Sequence, residues 1–205
     1  QGVIVMMRGI LFVLLGLVSG SVMYAWDFPK WFCHVDIAKC SDDGNPGTAN
    51  ALKFGGLSVG ILSLLFELAK GAVPVLMAKY LIPLNSFWMA LIVAAPVAGH
   101  AFAPWGGGKA IAVSFGVLLG LLPQSKALLF LVIPYVFFSA ILILRPHALR
   151  SIVSFISFFI LTLLFEKNLP IIAAALFITG IVTVRHLSSL HKCIPEGQIF
   201  GKRIF

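Results

Sequence analysis

Three polar segments interrupt an otherwise apolar sequence, and one of them has the composition of a phosphate-binding loop. In "GHAFAPWGGGKA" three glycines, residues 106–108, precede Lys109 and an apolar run. Glycines allow backbone N–H groups to turn toward an anion, and the N-terminus of a helix adds partial positive charge. The segment predicts a phosphate site, although Ala110 after Lys109 excludes the Walker A pattern. The alternative is a flexible turn with a lysine at the membrane interface.

A second segment, "SDDGNPGTAN" from Ser41 to Asn50, places two adjacent carboxylates in a loop. Asp, Asn and Gly are the usual residues of turns, so a turn is the simplest interpretation. Asp42 and Asp43 could also hold a magnesium ion, or one of them could serve as a general base beside phosphate-binding groups. The residues alone favour the turn and leave the other two interpretations open.

Further charged residues fall at the ends of apolar runs or inside one. Arg185 and His186 begin the third segment, "RHLSSLHKCIPEG", and are either phosphate donors or part of the usual cytoplasmic excess of basic residues. His100 precedes the glycines, where capping or packing is the simpler interpretation. Glu67 and Lys70 stand inside an apolar run, one helical turn apart, and can pair. Because charges within a membrane segment are costly, a role is favoured over a snorkelling lysine.

The elements that position these residues must be membrane helices. Of 205 residues, 60% are hydrophobic and 11% are charged, whereas a soluble domain has about 25% charged residues. The composition predicts one membrane-embedded domain over residues 1–205, inserted in a lipid bilayer. The net charge of +8 is expected to mark the cytoplasmic side of the membrane and not a nucleic-acid partner.

Apolar runs of about 20 residues, separated by Pro, Gly and Asn turns, predict an all-α bundle of seven transmembrane helices. The predicted spans are 3–26, 57–82, 84–103, 109–123, 126–145, 149–165 and 169–187. Lys and Arg concentrate on one side if the C-terminus is cytoplasmic, so the N-terminus is predicted outside. The three polar segments then share the cytoplasmic side and can converge on one site.

Five motifs in this order resemble the bacterial acyl-phosphate:glycerol-3-phosphate acyltransferase family, PlsY. They are "GS" at 20–21, "SDDGNPGTAN", "FELAKGAVPV", "GHAFAP" with "GGKAIAVSFG", and "RHLSSL" with "PEG". The resemblance implies a seven-helix protein of the bacterial cytoplasmic membrane, expected as a monomer, with its active site facing the cytoplasm. It implies transfer of a fatty acyl group from acyl phosphate to glycerol 3-phosphate, giving lysophosphatidic acid in phospholipid synthesis. No metal or other cofactor is expected.

The resemblance also implies roles for the residues that match its motifs. The catalytic group includes His186, while Glu67 and Glu196 are expected to be structural. Substrate or phosphate binding is expected of ten residues, namely Ser41, Asn45, Gly47, Asn50, Lys70, His100, Gly107, Gly108, Lys109 and Arg185.

Three further candidates for catalysis depart from the family pattern. Asp43 stands in place of the family's essential serine, Lys39 in place of its arginine and Ser189 in place of its asparagine, while Ala110 replaces the last glycine of the phosphate motif. Lys39 keeps the charge but not the bidentate guanidinium. A carboxylate suits a hydroxyl-rich or cationic acceptor better than a second phosphate, so a PlsY-like enzyme for another acceptor is an alternative, as is an inactive membrane scaffold. A magnesium ion at Asp42 and Asp43 is a further alternative.

Overall fold

The computed structural model describes residues 2–41, 43–190, 196–199 and 202–203, and helices dominate it. The helices are α1 (Gly2–Ser21), α2 (Tyr24–Cys33), α3 (Ile37–Cys40), α4 (Thr48–Ala78), α5 (Phe87–Ala101), α6 (Ile111–Gly120), α7 (Ala127–Val136), α8 (His147–Phe165) and α9 (Leu169–Leu190). A π-helical turn, Phe137–Ile141, extends α7. The predicted helical architecture is confirmed.

Four helical segments of the described chain are long and apolar enough to cross a membrane, judged by length and composition. They are Gly2–Cys33, Thr48–Ala78, His147–Phe165 and Leu169–Leu187. Three shorter apolar helices accompany them: Phe87–Ala101, Ile111–Gly120 and Ala127–Ile141. Each of the seven predicted spans therefore overlaps one apolar helix.

The helices near the N-terminus differ from the predicted spans in two details. The first span was predicted to reach residue 26; α1 ends at Ser21, and α2 continues the apolar segment to Cys33. The Val22 carbonyl, just beyond α1, accepts a hydrogen bond from Lys70 Nζ. The second span was predicted to begin at residue 57; α4 begins earlier, at Thr48, but it is broken at Gly56, where φ is +81°, so its longer part begins at the predicted residue.

The predicted span 126–145 is also too long, because its last residues form a strand. Strand β1 (Leu142–Arg145) pairs antiparallel with β2 (Glu196–Ile199), which pairs antiparallel with β3 (Lys202–Arg203). This small sheet adds to the predicted helices. It ties the chain between α7 and α8 to the chain that follows α9.

The helices pack closely where small residues allow backbone contact. Helix α1 packs on α5, α4 on α6, and α8 on α9. A Cβ on Gly99 would collide with the carbonyl oxygen of Leu17, and one on Gly116 with that of Leu68. Small residues of this kind let membrane helices approach each other. Helix α1 leaves most of its apolar side chains exposed, as expected of a surface that faces lipid.

Polar contacts join the connecting segments at two opposite ends of the bundle. At one end, Ser125 Oγ donates to Glu166 Oε2 at 2.6 Å. At the other, Trp105 Nε1 donates to the Ser21 carbonyl at 2.8 Å. This second end, named the polar end below, also holds the sheet and the described residues of the polar segments.

Candidate active site

A surface cluster of Asp43, Asn45, Asn50 and Lys109 lies at the polar end. Lys109 Nζ is 2.7 Å from Asp43 Oδ2. Asp43 Oδ1 accepts hydrogen bonds from the Asn45 N–H at 3.2 Å and from Asn50 Nδ2 at 3.0 Å. Asn50 Nδ2 also donates to the Asn45 carbonyl at 2.9 Å. Asp43 therefore joins the first polar segment to the start of α4 and to Lys109, two residues before α6.

The surface cluster keeps the Asp43 carboxylate charged. Partial burial raises the pKa of Asp43, but the Lys109 hydrogen bond and charge, with the hydrogen bonds from Asn45 and Asn50, outweigh it, and the pKa lies below its usual value. At neutral pH the carboxylate is ionised and three donors already contact its oxygens. A group of this kind is a weak general base and is better suited to positioning its neighbours.

The glycine loop, residues 106–108, is held in place by hydrogen bonds with Arg185 and with the His100 carbonyl. Arg185 of α9 donates from Nε to the Gly108 carbonyl at 3.1 Å and from Nη2 to the Gly107 carbonyl at 2.6 Å. The Gly108 N–H donates to the His100 carbonyl at 3.1 Å. The Gly108 N–H thus bonds inward, so the loop presents fewer N–H groups to an anion than its glycine content suggests.

The backbone on both sides of Lys109 is left-handed. Gly106 has a φ of +117° and Ala110 a φ of +61°. An L-residue with a side chain adopts the left-handed region at a cost of about 1–2 kcal/mol. Ala110 therefore stands, with some strain, where the family motif has glycine. The turn at Ala110 starts α6 and leaves Lys109 at the N-terminal end of that helix, where the helix dipole also favours an anion.

A buried triad of Glu67, Lys70 and His100 lies beneath the glycine loop. Lys70 Nζ is 2.7 Å from Glu67 Oε2 and 2.8 Å from His100 Nδ1, and it also donates to the Val22 carbonyl. His100 Nδ1 is 3.1 Å from Glu67 Oε2, and Glu67 Oε1 accepts from the Ala25 N–H at 3.3 Å. The predicted pairing of Glu67 with Lys70 is confirmed. The three side chains are 1–6% exposed, so they form part of the interior.

His100 connects the buried triad to the glycine loop. A Cβ on Gly108 would collide with His100 Nε2, so the imidazole packs directly against that glycine. The Lys70 carbonyl accepts a hydrogen bond from Ser19 Oγ at 2.8 Å, which adds α1 to the same assembly. Only glycine fits at position 108 with this ring in place. The triad thus supports the loop from within the bundle.

Three of the predicted catalytic residues belong neither to the surface cluster nor to the buried triad. His186 is 2% exposed, and its Nδ1 is 2.7 Å from the Val182 carbonyl. Because a carbonyl only accepts, the neutral ring carries its proton on Nδ1 and leaves Nε2 as the acceptor. Ser189 follows on α9 and is partly buried. Lys39 points away into solvent, with an 82% exposed side chain whose Nζ is 3.7 Å from Asp36 Oδ2.

Four predicted residues complete the first and last polar segments. Ser41 Oγ is buried without a hydrogen-bond partner in the described part of the chain, and Gly47 immediately precedes α4. Asp42, one half of the alternative magnesium site, lies outside the described residues. Glu196 begins β2, but its side chain also lies outside the described part.

An apolar groove opens beside the surface cluster, between α4, α6 and α7. Its volume is about 430 Å³. Thr48 and Ile111 line it next to Asn50 and Lys109, and Leu119 lines it two helical turns further along α6. The groove therefore begins at the charged groups and continues along apolar helix faces, which suits a ligand with a polar head and an apolar tail.

Sequence reasoning missed a second basic group at the wall of this groove. Tyr135 of α7 lines the groove, and its hydroxyl interacts with the guanidinium of Arg150 in the first turn of α8. His147 begins α8 and lies within electrostatic range of Arg150, Lys109 and Arg145. The basic residues spaced along "RPHALR" at the start of a predicted helix were the signal that could have indicated this group.

Comparison with known proteins agrees with the resemblance in the motifs. The family model described as glycerol-3-phosphate acyltransferase matches residues 10–196. A glycerol-3-phosphate acyltransferase of Macrococcus caseolyticus is 31% identical over 188 residues, 90% of this chain and 92% of the relative. One from Neisseria meningitidis is 31% identical over 202 residues, 93% of this chain and 97% of the relative.

Solved structures show the same fold. The crystal structure of PlsY, an integral membrane glycerol 3-phosphate acyltransferase, in its glycerol 3-phosphate form superposes with a TM-score of 0.78 at 23% identity, covering 90% of each chain. The lysophosphatidic acid form gives a TM-score of 0.74 at 22% identity, again over 90% of each chain.

Proposed function

The chain belongs to the glycerol-3-phosphate acyltransferase family, and from this premise we propose that it transfers a fatty acyl group from acyl phosphate to the 1-hydroxyl of glycerol 3-phosphate. The products are lysophosphatidic acid and inorganic phosphate. The protein would thus act at the entry into phospholipid synthesis. Relatives along nearly the whole length of the chain are named glycerol-3-phosphate acyltransferases, and the site suits the two proposed substrates.

One observation carries the proposal: an apolar groove begins at a cation-bearing cluster. Lys109 directly follows the glycine loop, and Ile111, two residues later, lines the groove. A fatty acyl phosphate has the matching form, with a charged head and an apolar tail. Its carbonyl carbon would lie where the groove meets the surface cluster. That is also where a small polar acceptor can enter from water.

The chemistry requires positioning and charge neutralisation. The acceptor hydroxyl attacks the carbonyl carbon, a new C–O bond forms, and the bond between that carbon and the phosphate oxygen breaks. The phosphate leaves with the electron pair, and the hydroxyl proton passes to His186 Nε2 or to the departing phosphate. Lys109 and Arg185 would neutralise the phosphates as charge shifts, and orientation of the two substrates supplies much of the remaining acceleration.

We assign the other residues according to their depth in the bundle. Ser41, Asn45, Gly47 and Asn50 would hold the acceptor, together with Ser189 at the end of α9. Asp43 would position Lys109 and the acceptor hydroxyls instead of removing a proton, since its donors keep it ionised. Lys39 would attract anionic substrates to this end of the protein.

The buried triad has a positioning role in this proposal. Lys70 and His100 are committed to each other and to Glu67, and their side chains are 2% and 6% exposed. They would support the glycine loop from below, in place of the direct phosphate contact that the resemblance implied. Glu196 is assigned a structural role through the sheet that β2 forms with β1.

Seven membrane crossings in the bacterial cytoplasmic membrane are part of the proposal, with the N-terminus outside and the polar end in the cytoplasm. The alternating direction of the seven apolar helices supports this count, since it brings the polar segments to one end. The basic residues of these segments favour the cytoplasmic side. We propose a monomer, because the surface cluster, the groove and the loop all come from one chain.

We propose that no metal or other cofactor takes part. An acyl phosphate is already an activated donor, and basic side chains at the polar end can neutralise the phosphate that departs. The magnesium alternative at Asp42 and Asp43 makes a different prediction, because activity would then fall on addition of a chelator. Activity that is indifferent to EDTA and to added Mg²⁺ would agree with the proposal.

The test is an assay of purified protein in detergent with palmitoyl phosphate and glycerol 3-phosphate. Release of inorganic phosphate and formation of lysophosphatidic acid in equal amounts are expected. Reactions without glycerol 3-phosphate give the background hydrolysis of the donor, and reactions without protein give its spontaneous decay. Absence of lysophosphatidic acid, with the protein shown to be folded by its thermal transition, would contradict the proposal.

A second candidate differs only in the acceptor, and Asp43 is the observation that favours it. Its carboxylate is 39% exposed at the surface cluster, where it would repel a second phosphate and attract a hydroxyl-rich or cationic group. The same assay with glycerol, other polyols and amino alcohols in place of glycerol 3-phosphate distinguishes the two. Faster phosphate release with one of these acceptors, with an acylated product, would support the second candidate.

A further inference from the structure

We propose that Arg150 and Tyr135 bind the phosphate of the acyl donor at the wall of the apolar groove, apart from the acceptor phosphate. This inference rests on the proposed function, because it assigns the donor's phosphate to particular residues. The two substrates carry one phosphate each. The surface cluster provides Lys109, and the Arg185 guanidinium is already bonded to two loop carbonyls. A second phosphate needs further donors.

The position of Tyr135 connects this group to the groove. Tyr135 lines the groove from α7, together with Thr48 and Ile111. Its hydroxyl interacts with the Arg150 guanidinium, which comes from the first turn of α8. A donor whose tail lies in the groove would therefore bring its head to these two side chains. The acceptor, which has no tail, is not directed there.

The Arg150 side chain has hydrogen-bonding capacity that the protein leaves unused. Its Nε is buried and has no hydrogen-bond partner in the part of the chain that the structure describes. Within the same described ranges, no carboxylate forms an ion pair with it. A buried N–H of a charged group is costly when unsatisfied, and a guanidinium matches phosphate with paired hydrogen bonds. An arriving phosphate would satisfy the group.

The surrounding charges favour an anion as well. His147, one turn before Arg150, has Arg150, Lys109 and Arg145 as basic neighbours, and Asp43 as the acidic one. The first turn of α8 contains no acidic residue. Basic side chains at a helix N-terminus are opposed by the helix dipole, so this arrangement is unfavourable until an anion is present. The stability of the fold alone does not explain this cluster of basic side chains.

The experiment measures the two Michaelis constants separately. Arg150→Gln is expected to raise the KM for palmitoyl phosphate by about tenfold to a hundredfold, the range for loss of a charged hydrogen bond. The KM for glycerol 3-phosphate should stay within about twofold of its original value. Tyr135→Phe should raise the KM for the donor by about twofold to fivefold. Lys30→Gln, an exposed cation on α2, is the control and should change neither constant.

Two outcomes would overturn the inference. One is an equal rise of both constants, and the other is a rise confined to glycerol 3-phosphate. Thermal transitions of all variants in detergent show whether they fold. If Arg150→Gln does not, Arg150→Lys and Tyr135→Phe must show the selective rise in KM for the donor, and unchanged constants in both would overturn the inference.

A binding measurement separates this inference from the proposed function. Dodecyl phosphate has the head and tail of the donor but no acyl group to transfer. Titration calorimetry should show that it binds the original protein and binds Arg150→Gln at least about tenfold more weakly. Weaker binding would support the phosphate site even in a protein that shows no acyl transfer. Equal affinity for the two proteins would overturn the site whatever the turnover.

Discussion

Two lysine–carboxylate pairs in the described part of the chain have the same length but lie in opposite surroundings. In the buried triad, Lys70 Nζ is 2.7 Å from Glu67 with side chains 2% and 1% exposed. In the surface cluster, Lys109 Nζ is also 2.7 Å from Asp43, with side chains 20% and 39% exposed. The distance therefore does not distinguish the pairs. Their access to solvent and substrate does.

The difference in burial determines what each pair can do. A pair inside the bundle cannot exchange its partner for a substrate, and removal of one member leaves an uncompensated charge in a medium of low dielectric constant. A pair at the surface contributes little to stability, because water and salt screen it. Its lysine can leave the carboxylate for a phosphate at small cost. The buried pair fixes the glycine loop, and the exposed pair is available for binding.

The largest effect is expected from Glu67→Ala. This change leaves the Lys70 ammonium buried without its carboxylate, and the loss in the free energy of unfolding should be about 3–5 kcal/mol. Tryptophan fluorescence during heating in detergent would report it as a large fall in the transition temperature, or as a failure to obtain folded protein. Glu67→Gln keeps an acceptor for the Ala25 N–H and should lose less.

Ser63→Ala is the matched control for this change. Ser63 lies one helical turn before Glu67 on α4, is completely buried, and donates a hydrogen bond to the Val59 carbonyl of its own helix. Its replacement should cost less than about 1 kcal/mol. A Glu67→Ala protein that melts like Ser63→Ala would show that the buried pair adds no stability, and its role would have to be sought in the chemistry.

The next effect in size is expected from Lys109→Met. Loss of this cation should lower kcat/KM for acyl transfer by about a hundredfold to a thousandfold, the usual range for a group that stabilises developing charge. The transition temperature should hardly change, because an exposed ion pair contributes about 0.2–1 kcal/mol. Initial rates over a range of both substrates, with a melting curve of the same preparation, measure the two effects.

Lys30→Met provides the comparison for Lys109→Met, since it removes an equally charged side chain from the exposed face of α2. We expect normal kinetics from it. Lys109→Arg keeps the charge and should retain more activity than the methionine variant. A Lys109→Met protein with normal kcat/KM and a lowered transition temperature would reverse the assignment, making the surface pair structural.

The features of the two pairs that depend on short spacing or on topology were predictable from the sequence. Glu67 and Lys70 are three residues apart on a helix, so their pairing followed from helix geometry. The meeting of the first polar segment with the glycine loop followed from the sidedness of the spans. Neither prediction required knowledge of how the helices pack.

Contacts between distant helices lay beyond sequence reasoning. His100 joins the buried pair from another helix, and Asp43 meets Lys109 across 66 positions. Such partners depend on helix rotation, which an almost uniformly apolar helix does not reveal. The hydrogen bond between the Val22 carbonyl, just beyond α1, and Lys70 on α4 is a further contact of this kind.

The smallest effect, and the sharpest test of the surface pair, is expected from Asp43→Asn. The amide keeps an oxygen for the Asn45 N–H and for Asn50 but loses the attraction to Lys109. Because an exposed pair contributes about 0.2–1 kcal/mol, kcat/KM should fall by less than about tenfold. Removal of a general base would instead lower the rate by about a hundredfold to ten-thousandfold.

The pH dependence of activity tests the same point. The pKa of Asp43 is lower in the folded protein than in the unfolded chain, so the stability from its ion pair is fully present above the unfolded pKa of about 4 and is lost as pH falls through the folded value. Asp43 should stay ionised from pH 5 to pH 8, and kcat/KM of the original protein and of Asp43→Asn should follow parallel profiles across that range. A fall in kcat/KM toward acid pH that is present in the original protein and absent from Asp43→Asn would show that this carboxylate exchanges a proton during the reaction. The surface pair would then take part in the chemistry and not only in binding.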